Sequence, residues 1–330
     1  MSGAGAGFIR HPVTRDRRID HVRSLLGPEI CAYLLDPQVT DIVCNPPRAD
    51  DEECMIWVYA HGRETQICSS MTPGDVERLI SAVGGALYQD VTVRTPYVEG
   101  ELNVDGSRFS GGMPPIAPGP FFAIRKRASM VWTLDWWVEH GCMEEWQKKL
   151  LERAMQERQN VIVAGSMGCG KTSLLNGILD SAARLAKPWE RFIVLEETME
   201  LQFKAARNVL SLRATPRQSL QFLVHAALRQ NGDRIMLGEV RGGEALELLK
   251  AWNTGHNGGA CTLHCDVTRP DAALDRLEVC IMAATPMKRL IANAVDLVVC
   301  LEKDRRVGQI VRIQGYDPTD DQYILRTEHK

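Results

Sequence analysis

Gly165-Ser166-Met167-Gly168-Cys169-Gly170-Lys171-Thr172 fits the spacing G-x-x-x-x-G-K-[ST] of a phosphate-binding loop. Its surroundings carry as much weight as the motif. Val161-Ile162-Val163-Ala164 before it is a short apolar run that reads as a buried strand, and Ser173 to Leu179 after it reads as a helix. Glycines let the backbone turn tightly, so that its N–H groups surround phosphate oxygens. The helix N-terminus adds the positive end of its dipole. The pattern assigns Gly165, Ser166, Met167, Gly168, Cys169, Gly170, Lys171, Thr172 and Ser173 to nucleotide binding. Lys171 is the residue that reaches β- and γ-phosphates, and the Thr172 hydroxyl is placed to ligate magnesium. A chance glycine-rich turn is the competing reading, and the flanking strand and helix argue against it.

Working outward, strand-like and helix-like segments alternate after residue 142: 160–164, 172–185, 192–196, 219–229, 234–238, 244–252 and 260–263. Such alternation predicts a parallel sheet covered by helices, an α/β architecture. Residues 295–301, 309–313 and 323–325 read as late strands at an edge. The first part is different. Short helices between 19 and 35, interrupted at Gly27-Pro28, precede strand-like stretches at 40–44 and 54–59, a helix at 75–83, and further strand-like pieces over 101–127. This predicts a smaller α+β domain over 19–128. Residues 1–18, with Arg10, Arg15, Arg17 and Arg18, read as a flexible basic arm. Residues 129–141, with Trp132, Trp136 and Trp137, read as the interdomain linker, its aromatics packing a seam. The larger α/β domain then occupies 142–330.

With 330 residues, two domains are the better expectation. The formal net charge of -3 makes a general nucleic-acid coat a poor fit, and no strong direct nucleic-acid binding is expected. No apolar run is long enough to span a bilayer, and Met1 to Gly7 lacks the apolar core of a signal peptide. The expected location is the cytoplasm, with membrane attachment through partners. The 10 cysteines form no C-x-x-C pair, so reduced and mostly buried thiols are expected. His256, Cys261, His264 and Cys265 match no zinc spacing. Cys169 lies in a loop at a helix N-terminus, a position that lowers a thiol pKa and invites alkylation.

A phosphate loop needs acids for magnesium and for water. Arg234-Ile235-Met236-Leu237-Gly238-Glu239 is an apolar strand ending in an acid, and Glu239 has the reach of a general base or water-orienting group. Phe192 to Glu200 is a second strand ending in acids, so Glu196 and Glu197 are candidate magnesium ligands. In a parallel sheet, such strand ends converge on one ligand crevice. Thr254 to His264 brings a loop with His256 into a short strand ending at His264, a candidate γ-phosphate sensor.

The whole series resembles the secretion ATPase superfamily that powers type II and type IV secretion and type IV pili. Its members share a phosphate loop, an acidic box, a glutamate-ended second motif and a histidine box. The corresponding stretches are 165–172, 196–200, Gly238-Glu239-Val240-Arg241-Gly242, and 255–264. The first part resembles conjugative-transfer ATPases of the TrbB type, through Leu26-Gly27-Pro28-Glu29-Ile30, Asp105 to Phe109, Met113-Pro114-Pro115 and Phe122 to Arg127. The resemblance implies a RecA-like P-loop NTPase domain, with ATP and Mg2+ bound between the two domains. It implies a homo-oligomer, a hexameric ring peripheral to the cytoplasmic face of the bacterial inner membrane, working with secretion or conjugation apparatus proteins. Catalytic roles then fall on Glu239, Lys171, Arg108, Arg125 and His264, with the two arginines contacting phosphate, and hinge motion is expected across 129–141. Ring formation would set Arg241 and Arg229 near neighbouring subunits. Glu196-Glu197 departs from the family's usual Glu-Asp, and the tetracysteine insert of type II secretion ATPases is absent. A pilus-retraction or tight-adherence pilus ATPase shares all four boxes; a hexameric nucleic-acid motor and a nucleotide-gated scaffold are the readings from other classes.

Overall fold

The computed structural model describes residues 17–48, 51–60, 66–126, 131–215, 217–267, 269, 271–281 and 287–329. Nearly all of the expected basic arm lies outside them. The chain divides into two compact units, Met1–Ser129 and Met130–Lys330.

In the first unit, strands β1 (Val39–Cys44), β2 (Cys54–Ala60), β3 (Gln66–Met71), β4 (Tyr97–Glu101), β5 (Arg108–Gly112) and β6 (Phe121–Arg125) form an antiparallel sheet in the order β3-β2-β1-β6-β5-β4. Two helices supply its other layer. Helix α1 (Arg17–Leu35) buries Val22, Leu26, Ile30 and Leu34, a four-residue spacing that makes one apolar stripe. It breaks at Gly27, whose φ of 75° precedes Pro28, as its sequence predicts. Helix α2 (Pro73–Ala86) starts where Thr72 accepts a hydrogen bond from the Asp75 N–H, with proline at its first position. Their apolar faces meet Ile42, Ile56, Phe109, Phe122 and Ile124 in one core.

The second unit carries an eight-stranded sheet. Its strands are β7 (Val161–Gly165), β8 (Phe192–Glu196), β9 (Val209–Arg213), β10 (Arg234–Val240), β11 (Ala260–His264), β12 (Leu297–Leu301), β13 (Val307–Asp317) and β14 (Gln322–Thr327), in the order β14-β13-β12-β7-β11-β10-β8-β9. From β12 to β9 all neighbours are parallel, and β13 and β14 add an antiparallel edge. Both faces are covered. Helices α3 (Leu134–Glu139), α4 (Glu145–Gln156) and α5 (Lys171–Leu185) share a core with Val161, Val163, Val194, Met236 and Val299. Helices α6 (Leu220–Ala227), α7 (Glu244–Asn253), α8 (Ala272–Ile281) and α9 (Lys288–Ala294) share the other with Ile162, Ile193, Leu237, Leu263 and Val298. Strands buried on both sides explain the near-continuous apolar runs.

Two expectations are corrected. The stretch 295–301, read as an edge strand, is interior: β12 lies parallel beside β7, the strand of the phosphate loop. The tryptophan-rich stretch read as a linker packs inside the second unit from Trp132 onward. Thr133 caps α3 by accepting from the Trp136 N–H, Trp137 is fully buried in the α5-side core, and Trp132 stacks on Trp136 with centroids 4.3 Å apart. Trp137 is core, and the partly buried Trp132 and Trp136 pack against it, so the described part of that stretch is anchored by its aromatics.

Candidate functional site

The five central parallel strands β12, β7, β11, β10 and β8 all end on one edge of the sheet. That edge carries Gly165, His264, Glu239 and Glu196. Adjacent strands lie about 4.8 Å apart, so His264 is one strand from the phosphate loop, Glu239 about 10 Å away in backbone terms, and Glu196 about 14 Å away.

The loop is shaped by its glycines. Gly168 and Gly170 hold φ of 75° and 99°, which only glycine adopts without strain. Gly165 is required by contact: a Cβ there would stand 2.7 Å from Cys169 Sγ and 2.7 Å from the Leu301 carbonyl oxygen. Lys171 opens α5, and its Nζ donates to the Ser166 carbonyl at 2.8 Å, so the loop closes on itself. Gly170 caps α5 without a side chain, and no acidic residue stands in the first turn. The positive end of the helix dipole therefore meets no carboxylate from that turn. Ser166 Oγ is buried with no hydrogen-bond partner among the described residues. An orphaned hydroxyl, a glycine cradle and an open helix N-terminus together fit phosphate groups.

Cys169 does not behave as its loop position suggests. It is 1% exposed and packs in the α5-side core, which shields it from alkylating reagents. Burial pushes the Cys265 thiol up, to about 11, against the pull of the Lys171 charge. Met167, by contrast, is exposed at the loop tip.

The acids divide by environment. Glu196 is buried, and its Oε1 accepts the backbone N–H groups of Glu200 and Leu201, both at 2.8 Å. That bond shapes the turn after β8. Glu239 and Glu197 are joined through Arg241: its Nε donates to Glu239 Oε2 at 2.7 Å and its Nη1 to Glu197 Oε2 at 2.6 Å. Burial works against the Arg241 charge, but Glu239 and Glu197 outweigh it and hold the guanidinium pKa above its usual range. Glu244 Oε1 fixes the turn by accepting from the N–H groups of Arg241 and Gly242.

The histidines separate. His264 lies on the loop edge, paired in register with Gly165. His256 lies before β11, at the opposite edge, with Nδ1 2.7 Å from the Gly232 carbonyl oxygen. Sequence reasoning passed over Arg305. It lies in the turn after β12, its Cγ 3.8 Å from where a Cβ on Gly170 would stand, its guanidinium over the Trp132 ring. Only the placement of β12 beside β7 brings that cation to the loop.

In the first unit, Arg108 and Arg125 are direct cross-strand partners. Like charges placed opposite each other are unfavourable unless compensated. Here Glu101 pairs in register with Arg108, and Asp41 with Arg125, giving a row Glu101, Arg108, Arg125, Asp41 across four strands. Asp41 Oδ1 is 3.9 Å from Arg125 Nε. Among the described residues, no helix is long and apolar enough to cross a membrane.

Comparison with known proteins adds to this geometry. Residues 102–309 match the family model described as type II/IV secretion system protein. The chain is 38% identical to the conjugal transfer protein TrbB of Rhizobium radiobacter, over 91% of each chain. It is 30% identical to the type IV secretion system protein PtlH of Bordetella pertussis, over 78% of this chain and 84% of that one. The X-ray structure of the Legionella pneumophila ATPase DotB shares the fold, with a TM-score of 0.58 at 16% identity over 97% of this chain and 84% of that one.

Proposed function

The chain belongs to the type II/IV secretion system protein family, and from that premise we propose that it is an ATP-hydrolysing motor of a bacterial conjugative-transfer or type IV secretion apparatus. The observation that carries the reading is the shared sheet edge, where the glycine cradle and Lys171 stand with His264 and Glu239 at the ends of neighbouring parallel strands. Coupling would run from ATP turnover to pilus assembly or substrate passage, in a homo-oligomeric ring of about six chains at the cytoplasmic face of the inner membrane, the oligomer size resting on the family resemblance.

The loop amides and Lys171 bind and orient the phosphates, which is most of what catalysis of phosphoryl transfer needs. Magnesium, when bound, supplies charge neutralisation across the phosphate oxygens, and Thr172 with Glu196 or Glu197 are the residues proposed to hold it. Glu239 orients water or accepts its proton at a carboxylate oxygen, for which it must exchange its ion pair with Arg241. His264 is proposed to sense the terminal phosphate. Arg108 and Arg125 are proposed as a phosphate-binding pair, since two guanidinium groups side by side suit an anion.

The test is magnesium-dependent ATP turnover of the purified protein, measured with its mass in solution. Turnover in a ring-sized particle, abolished in Lys171→Ala, is the expected result. Turnover unchanged by Lys171→Ala would overturn the reading.

A further inference from the structure

Strand β10 does not keep its alternation. Ile235 and Leu237 face the core under α6–α9, and Met236 faces the α5 side. With a period of two, residue 239 would share the face of Ile235 and Leu237, and residue 240 would face α5. The structure has the reverse: Val240 joins Ile235 and Leu237. The ladder with β11 gives the cause. Leu237 pairs with Cys261 and Glu239 pairs with Thr262, so Gly238 is an extra residue, a bulge. One inserted residue inverts every side chain after it. Glu239 is thereby turned from an apolar core toward the face on which the helix of Lys171 packs.

A bulged residue is left unpaired in the ladder, so its carbonyl calls for another donor. Thr262 does so. It is 1% exposed, and its Oγ1 donates to the Gly238 carbonyl oxygen at 2.7 Å. It lies on the α5 side of β11, since Cys261 and Leu263 before and after it face the other core. The lack of a side chain at Gly238 completes the device: a Cβ there would stand 3.2 Å from Glu196 Cγ.

We propose that Thr262 is a positioning residue for Glu239, fixing the Gly238 bulge that aims the carboxylate at the phosphate-loop face. The inference rests on the reading of Glu239 as the group that acts on water. Thr262→Val keeps the branched shape and removes the hydroxyl, whereas Thr262→Ser keeps the hydroxyl. Misplacement of a reacting group by about an ångström costs up to about 100-fold, so kcat of Thr262→Val is expected to fall about 10- to 100-fold. Its KM for ATP should stay within about twofold, because the phosphate loop is untouched, and Thr262→Ser should return kcat to near the wild-type value. A residue that only stabilised the sheet would lower the unfolding temperature and leave the kcat of the folded protein alone. Should Thr262→Val fail to fold, Thr262→Ala read against Thr262→Ser makes the same comparison. Wild-type kcat in the hydroxyl-free variant, with Glu239→Gln inactive, overturns the role of Thr262 and leaves that of Glu239 standing. Full turnover in Glu239→Gln removes the reading of Glu239, and the Thr262 proposal with it.

Discussion

Glu190→Gln should destabilise the second unit strongly, although Glu190 belongs to none of the nucleotide motifs. Arg234, the first residue of the strand that ends near Glu239, is 2% exposed, and Glu190 is 5% exposed. The guanidinium meets both carboxylate oxygens, with Nε 3.3 Å from Oε1 and Nη2 3.4 Å from Oε2. Its Nη1 donates to the Met155 carbonyl at 2.7 Å, and Arg158 adds a second cation to Glu190. Removing the carboxylate charge leaves a buried cation uncompensated, a loss of about 3–5 kcal/mol for pairs of this kind. Glutamine still accepts hydrogen bonds, so the low end, about 3 kcal/mol, is expected. At about 2–4 °C per kcal/mol for a unit of this size, the unfolding midpoint should drop by about 6–12 °C. Burial works to raise the Glu190 pKa, but the Arg234 charge and the hydrogen bonds from Arg234 and Arg158 outweigh it and hold it below the usual range. A depressed carboxylate stabilises the fold above its unfolded pKa, about 4.3, and that contribution is lost as pH falls through the folded value. Thermal unfolding at neutral pH and below pH 4 reads both effects, and the variant should lack this part of the acid destabilisation. A midpoint within about 2 °C of wild type at neutral pH, with the same acid slope, would refute the argument that this pair matters.

Gly165→Ala forces a methyl against the Leu301 carbonyl oxygen and Cys169 Sγ, and should lower stability by about 1–3 kcal/mol in denaturant unfolding while weakening ATP binding; unchanged stability would show that the loop yields. Arg241→Gln frees the Glu239 carboxylate from the 2.7 Å ion pair that it must give up to act on water, so kcat should be held or raised with ADP affinity little changed, as steady-state turnover and calorimetric titration would show; a several-fold fall in kcat would contradict that exchange. Asp296→Asn has the opposite sign from Glu190→Gln. Burial raises the Asp296 pKa, so its stabilising contribution is present at low pH and lost as pH rises through its ordinary value and beyond. The Asn160 N–H, now donating to Asp296 Oδ2 at 2.7 Å, finds an acceptor in asparagine too. The variant should unfold at or above the wild-type temperature at neutral pH, and a large drop there would contradict the burial argument.

The phosphate loop was legible because its chemistry fixes residue types at adjacent positions, and the parallel sheet because apolar runs alternate with helical ones. What escaped the sequence depends on pairing partners. An apolar run such as 297–301 reads the same at an edge as in the middle of a sheet, and only its register with β7 puts it beside the loop and Arg305 near Gly170. Val209–Arg213 is only partly buried, with a pattern too mixed to stand out, yet it pairs in parallel with β8. Leu134–Glu139 is too short to show helical periodicity, so its tryptophans suggested a connector where they form core. The Gly238 bulge leaves no periodic trace in a seven-residue strand, though it decides which way Glu239 points. Arg241 joins Glu197, 44 positions before it, to Glu239, two positions before it, a contact that no local pattern announces.

The most direct test of the central claim is single-turnover ATP hydrolysis by Glu239→Gln beside wild type, with nucleotide binding measured on the same samples. The account predicts that the variant binds ATP and magnesium as wild type does, through an intact loop, and loses nearly all hydrolysis. Hydrolysis at the wild-type rate in a variant that binds normally would contradict it.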